Sequence, residues 1–286
     1  FLGSQDTLIA PSKLKSLSFD TPITRNAGLD IYEPRKEGHN YVITVDVSRG
    51  SSLDYSAFCI FDTTEFPYRM VGKYRNNEIK PLLFPNIIVD VARNYNSAFI
   101  CVEVNDIGDQ VATIINYDLE YDNVLMCAMR GRAGQILGMG FSGGKTQLGV
   151  KMSKTVKKIG CSNLKALIEE DKLMINDYET IAELTTFVQK KDSFEADEGY
   201  HDDLVMCNVI FAWIVMQDYF REMSDQDIRK RIYDERKNEI EQDMAPFGFM
   251  DNGLQEETIV DEDGNVWQVD EYGSKQYSVD YMLPFV

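Results

Sequence analysis

No run of about 18 uncharged apolar residues occurs in this chain, so no segment reads as a membrane-spanning helix. Histidine is scarce: His39 and His201 are too few for a histidine-rich zinc centre. The five cysteines, Cys59, Cys101, Cys127, Cys161 and Cys207, are scattered, and none falls in a CxxC. Four sit inside apolar runs, so they read as small buried hydrophobes of a reducing compartment rather than a disulfide framework. Positive charge is also short. The 29 Lys and Arg against 47 Asp and Glu leave a net charge of −18, which argues against a non-specific nucleic-acid binder taken as a whole. The opening FLGSQDTLIAPSK lacks an initiator Met, does not read as a signal peptide, and is expected to be a fragment cut from a longer chain. A length of 286 residues fits one large domain, or one medium domain with appendages.

The deficit of basic residues is not uniform. From Arg130 to Lys158 there are seven Lys and Arg and no acid, whereas the chain beyond Met223 is heavily acidic. Arg130, Arg132, Lys145, Lys151, Lys154, Lys157 and Lys158 therefore form a candidate phosphate-contacting surface, although a charge run also suits a solvated face. Nothing in the span suggests base reading, so weak sequence preference is expected. Gly143-Gly144-Lys145-Thr146 imitates the end of a P-loop, but the required earlier glycine is replaced by Met139.

The periodicity predicts three domains of character. Residues 1–40 carry Pro11, Pro22 and Pro34 with no sustained period, and read as a connector from an upstream domain. Residues 41–222 begin with apolar strands over Tyr41–Ser48, Tyr55–Asp62 and Tyr68–Tyr74, whose short connections require an antiparallel meander. Helix Leu82–Tyr95, strand Ala98–Val104, helix Ile107–Tyr117 and strand Asn123–Met129 then imply parallel crossovers. Meander followed by βαβαβ is the order of the ribonuclease H-like fold, a mixed α/β sheet with flanking helices of the RuvC/resolvase type. Gly131–Gly149 reads as a glycine-rich basic loop, and helices are expected over Ser153–Glu170, Tyr178–Lys190 and Asp202–Arg221, with Leu173–Ile175 a short strand or turn. Residues 223–286 form an acidic extension with a charged helix at Asp225–Met244 and a hairpin at Thr258–Val269 around Asp263-Gly264.

Within that order the acids stand out. Asp46 interrupts an apolar strand, expected to be the central one of the meander; an unpaired carboxylate there is costly without a partner or a cation. Glu103 ends the fourth strand, and Asp202 and Asp203 open the last helix of the domain, where capping is an equally good reason for acids. The expected topology brings all of these to one place. Clustered carboxylates repel unless a cation holds them, and oxygen-only ligands select hard ions such as Mg²⁺ or Mn²⁺. Two ions roughly 3.5–4 Å apart suit phosphodiester cleavage. Asp46 is then expected to bridge both, with Glu103 on one ion, Asp203 on the other, Asp54 auxiliary, and His201 orienting water or carrying a proton.

The segments VDVSRGSSLDYSAF, VEVNDIGDQV, GFSGGKTQLGVK and HDDLVM resemble the C-terminal nuclease domain of the large terminase subunit of T-even-like tailed phages, over roughly Tyr41–Phe220. The resemblance implies a metal-dependent endonuclease that cuts concatemeric viral DNA during head filling in the host cytoplasm, docked transiently on the procapsid. It implies an acidic triad of Asp46, Glu103 and one of Asp202 and Asp203, the latter favoured, with Asp54 matching a further family acid. Implied partners are double-stranded DNA, the portal protein, the small terminase subunit and an N-terminal ATPase domain, none of whose Walker motifs is in this chain. A ribonuclease H or Holliday-junction resolvase shares the fold, and a non-catalytic docking module of the motor suits the net charge and acidic tail.

Overall fold

The segment before Tyr41, expected as a connector, is built into the domain. In the computed structural model, which describes residues 6–49, 54–129, 135–138, 146–191, 193–222, 258–260, 266–269 and 275–278, Leu8 and Ile9 are buried in the core. The Leu8 amide donates to the Phe187 carbonyl at 3.0 Å. Helix α1 (Pro11–Ser16) starts on the proline, whose fixed φ and missing N–H suit a first turn. Strands β1 (Thr24–Asn26) and β2 (Leu29–Ile31) then form an antiparallel pair.

The expected meander follows as β3 (Tyr41–Asp46), β4 (Ser56–Asp62) and β5 (Tyr68–Asn76), with β2 pairing on the outer edge of β5. Helix α2 (Phe84–Asn94), with Pro85 in its first turn, crosses over to β6 (Phe99–Val102), which lies parallel to β3. The sheet runs β1-β2-β5-β4-β3-β6. The central strand of the meander is thus β4, not the strand of Asp46 as expected. Strand β3 is instead interior to the whole sheet, between β4 and β6.

Alternation on β3 sorts its side chains into two cores. Val42 joins a layer with Ala57, Cys59, Phe61 and the helices after residue 150, while Tyr41, Ile43 and Val45 join Phe58, Ile60, Phe84 and Ile88 on the other face. A strand covered on both sides has no need of polar residues on alternate positions, which is why YVITV reads as a continuous apolar run.

Helix α3 (Gly108–Thr113) continues as a π turn over Ile114–Asp118. The expected fifth strand departs from the prediction. Residues 123–125 touch β6 in parallel through a single bridge at Val124, and β7 (Met126–Met129) then leaves to form a separate antiparallel sheet with β8 (Gln135–Leu137) and β9 (Thr146–Leu148). Helix α4 (Lys154–Glu169) is capped by the Ser153 hydroxyl, which accepts from the Val156 amide at 3.2 Å. The short β10 (Leu173–Met174) pairs in parallel with β5. Helix α5 (Tyr178–Thr186) is capped by Asp177 and is shorter than predicted, because Phe187–Lys190 is strand β11 of a hairpin with β12 (Ser193–Ala196). The sequence FVQK begins with an aromatic and a β-branched residue, both buried, and the turn at Lys191 takes a positive φ of 55°.

Helix α6 (Asp203–Ile214) ends before the predicted Arg221 and is apolar on every face, because the sheet covers one side and α4 another. Phe211 stacks on Phe61 with ring centroids 3.9 Å apart. Gly160 permits the close approach of α4, since a Cβ there would stand 2.6 Å from the Val209 carbonyl oxygen. All five cysteines are buried and free. No helix among the described residues is long and apolar enough to cross a membrane.

Residues 232–286 form a second unit. In it β13 (Thr258–Val260), β14 (Val266–Val269) and β15 (Lys275–Ser278) form an antiparallel three-stranded sheet; the first two match the strands of the expected hairpin. The expected charged helix at Asp225–Met244 lies outside the described residues, as do Asp263 and Gly264.

Candidate metal centre

Backbone pairing fixes two of the acids. Asp46 is the last residue of β3, and Glu103 directly follows β6. The Glu103 amide donates to the Val45 carbonyl at 2.9 Å, so both carboxylates leave adjoining parallel strands at the same end. The third contributor arrives through α6. The Thr44 hydroxyl donates to the Cys207 carbonyl at 2.8 Å, which pins the first turns of α6 beside the end of β3 and places Asp202 and Asp203 there.

The electrostatics register this convergence. Burial, then the charge of Glu103, then those of Asp203, Asp202 and Glu183, push the Asp46 carboxyl well above the ordinary carboxylate range. Burial lifts Glu103 to about 7, against the Lys157 ammonium and the Asn105 hydrogen bond, which favour its charged form. Asp203 is likewise lifted by burial to about 7, opposed by Arg75 and reinforced by Asp202 and Asp54. Asp46 sits at the centre of this field, feeling every member of the group.

The two aspartates that open α6 have different surroundings. Asp202, at the N-cap position, accepts from the Ala196 amide at 3.3 Å and so ties α6 to β12. Asp203 is 13% exposed; its Oδ2 lies 3.8 Å from Arg75 Nη2 and 3.8 Å from His201 Nδ1, and is buried without a hydrogen-bond partner. An orphaned carboxylate oxygen beside two more burdened carboxylates fits a hard cation. Among the described residues no group of three or more His, Cys, Asp or Glu is drawn tightly enough to form a ready-made metal shell.

Asp54 is exposed, and its charge helps to raise Asp203. His201 packs edge-to-face on Tyr55, with ring centroids 5.0 Å apart, at the rim.

The basic segment reaches the same end of the sheet. The Val150 amide donates to the Val102 carbonyl and the Val104 amide to the Val150 carbonyl, each at 2.9 Å, so Lys151 emerges beside Glu103. Asn105 Nδ2 donates to Glu103 Oε1 at 2.8 Å and to the Met152 carbonyl at 3.3 Å, stitching the acid to the same segment. Lys151, Lys154 and Lys158 are exposed, and the half-buried Lys157 lies over the Phe187 ring at 5.8 Å. Arg130, Arg132 and Lys145 lie outside the described residues, as do Gly143 and Gly144 of the P-loop-like GGKT.

Two participants escape sequence reasoning. Glu183, on α5, is buried; its Oε2 accepts from the amides of Leu204 and Val205 at 2.9 and 3.1 Å, and its Oε1 meets Arg75 Nη2 at 3.2 Å. Arg75, near the end of β5, also stacks its guanidinium on Tyr55 at 3.9 Å. The available signal was Thr180, Ile181 and Leu184, which give α5 one buried face on which Glu183 also falls, an acid among apolar neighbours.

An antiparallel meander extended by a parallel strand, with acids at the ends of β3 and β6 and at the start of α6, defines a ribonuclease H-like domain. The chain belongs to the family described as the terminase RNaseH-like domain, whose model matches residues 43–218. Among solved structures it is similar to the large terminase nuclease of thermophilic phage G20c with bound magnesium, at 21% identity and a TM-score of 0.55, covering 73% of this chain and 97% of that one. The same nuclease with bound cobalt matches at 22% identity and a TM-score of 0.54, covering 73% and 97%. The large terminase nuclease domain of Thermus phage P74-26 matches at 21% identity and a TM-score of 0.50, over 70% of this chain and 91% of that one.

Proposed function

We propose that this domain is a divalent-metal-dependent endonuclease that cuts concatemeric double-stranded viral DNA during genome packaging, with little sequence preference. The observation that carries the reading is the buried, hydrogen-bond-free Oδ2 of Asp203 beside the mutually repelling Asp46 and Glu103. Structures of the G20c nuclease carry bound magnesium and bound cobalt, which supports a divalent cation for a chain of the same family.

In this reading Asp46, Glu103 and Asp203 would hold the divalent ions. Asp202 is the alternative to Asp203, and Asp54 is auxiliary. Two Mg²⁺ or Mn²⁺ ions would supply an activated water and stabilise the leaving oxygen of the phosphodiester. The residues of the chain do the rest. Lys151, Lys154, Lys157 and Lys158, with Arg130, Arg132 and Lys145, hold the DNA backbone against the acidic end of the sheet by phosphate contacts that carry no sequence information. His201, on the solvent side of Asp203, accepts or returns the proton of the attacking water.

The narrower likeness to T-even-like phages rests on the four motifs and is part of this proposal. So are the partners: an N-terminal ATPase domain, the portal protein and the small terminase subunit, engaged at the procapsid in the host cytoplasm. The test is incubation of the purified chain with plasmid, RNA–DNA hybrid and four-way junction in Mg²⁺, Mn²⁺ or chelator. Metal-dependent cutting of plain duplex is expected. Strong preference for the hybrid or the junction would move the assignment to a ribonuclease H or a resolvase, and no cutting with any substrate would favour a docking module.

A further inference from the structure

We propose that Glu183 and Arg75 are positioning residues of the metal centre: the pair holds the first turn of α6 and so sets where the Asp203 carboxylate stands relative to Asp46. The inference deepens the metal-nuclease reading and rests on it. Glu183 directs Oε2 at α6, where it accepts from the Leu204 and Val205 amides, while Oε1 stands 3.2 Å from Arg75 Nη2 without a hydrogen bond.

The geometry of those bonds is specific. The free amides at the start of a helix need acceptors, and a residue near the helix start normally supplies one. Here Asp202, at the N-cap position, makes no such side-chain bond and points to Ala196 instead. The role passes to Glu183 of another helix, some twenty residues back in sequence, so the orientation of α6 depends on where α5 places that carboxylate.

Arg75 closes the arrangement. One guanidinium nitrogen, Nη2, lies 3.2 Å from Glu183 and 3.8 Å from Asp203, too far from the latter for a hydrogen bond. The Tyr55 face fixes the guanidinium plane. Arg75 thereby stands near Asp203 without capturing it, and the Asp203 Oδ2 has no hydrogen-bond partner. Simple pairing for stability would place Arg75 in contact with Asp203; the structure places it in contact with the neighbour that supports α6.

The test is calorimetric titration of the chain with Mn²⁺, together with melting in chelator, for the parent, Glu183→Gln, Arg75→Lys and Asp46→Asn. Groups that orient metal ligands typically cost about tenfold or more in affinity when altered. Glu183→Gln is expected to keep the capping bonds, lose the hold of Arg75, and weaken Mn²⁺ binding about tenfold in the folded protein. With DNA substrate kcat should fall while KM stays near that of the parent. Arg75→Lys keeps the charge but loses the planar fork, and should weaken Mn²⁺ in the same direction; it also decides the matter should Glu183→Gln not fold. Parental Mn²⁺ affinity in folded Glu183→Gln and Arg75→Lys, whatever their melting temperatures, overturns the positioning role, while loss of binding in Asp46→Asn alone leaves the nuclease reading standing. A parent chain that takes up no Mn²⁺ overturns both.

Discussion

The amide of Glu103 donates to the carbonyl of Val45 at 2.9 Å. That one parallel ladder bond puts the side chain that follows Val45, Asp46, and that of Glu103 at the same end of neighbouring strands. Nothing in the pairing relieves the repulsion between them, and the cluster is completed only from the far side, by α6.

Replacing Asp46 separates catalysis from folding. In Asp46→Asn the amide carries no charge for Glu103 and Asp203 to repel, so the folded state loses an unfavourable interaction rather than a favourable one. Melting in chelator at pH 8 should be at least as high as for the parent, while plasmid cutting disappears. Full cutting by this variant contradicts the assignment.

The pH dependence of the metal-free protein follows from the same burden. Glu103 and Asp203 are held near 7 and Glu183 near 8 in the folded chain, all above their ordinary values. At low pH both states carry these protons, so the groups impose no penalty. As pH rises past the ordinary carboxylate range of about 4, the unfolded chain releases protons that the folded chain still holds, and stability declines until the folded groups have ionised as well. Melting temperature in chelator should therefore fall between pH 5 and pH 8, and the rise produced by Mn²⁺ should be larger at pH 8 than at pH 5. A melting temperature in chelator that climbs across that range contradicts the shifts.

Lys157 links the acidic centre to the basic surface. Its charge is the strongest influence opposing burial at Glu103. Lys157→Ala should weaken DNA binding about equally for unrelated sequences and lower the salt slope by about 1. Fluorescence anisotropy across a range of salt concentrations measures both quantities. An unchanged slope would show that phosphates do not reach this residue.

Gly108 is a backbone-level determinant of the site. A Cβ at this position would run into the Glu103 carbonyl oxygen. Gly108→Ala should lower the melting temperature and reduce cutting, because the turn after β6 has to move and takes Glu103 with it. Retention of parental values in both assays would mean that the turn relaxes without disturbing the acid.

Much of this was legible in the sequence because the cues were local. An acid breaking YVITV, a second acid closing FICV, and a pair opening an apolar helix are each visible in a few residues, and topology alone brings them together. The less legible parts depend on tertiary choices. LMCAM is apolar enough for either sheet, and its departure into pairing with β8 and β9 is set by partners rather than by its own pattern. FVQK continues the α5 pattern but becomes a strand because SFEA comes back to pair with it. Leu8 and Ile9 sit in a mixed segment without a sustained period, so nothing in the local pattern shows that a core is waiting for them. Arg75 and Glu183 meet across separate elements; Glu183 falls on a buried helix face, but nothing beside either residue in the sequence names the other as its partner.

The most direct test of the central claim is the anomalous difference map of a crystal of this chain soaked in Mn²⁺. The account predicts peaks within coordination distance, about 2.0–2.2 Å, of the carboxylates of Asp46, Glu103 and Asp203, or of Asp202 in place of Asp203. Peaks confined to other parts of the surface, with these carboxylates bare, would contradict it.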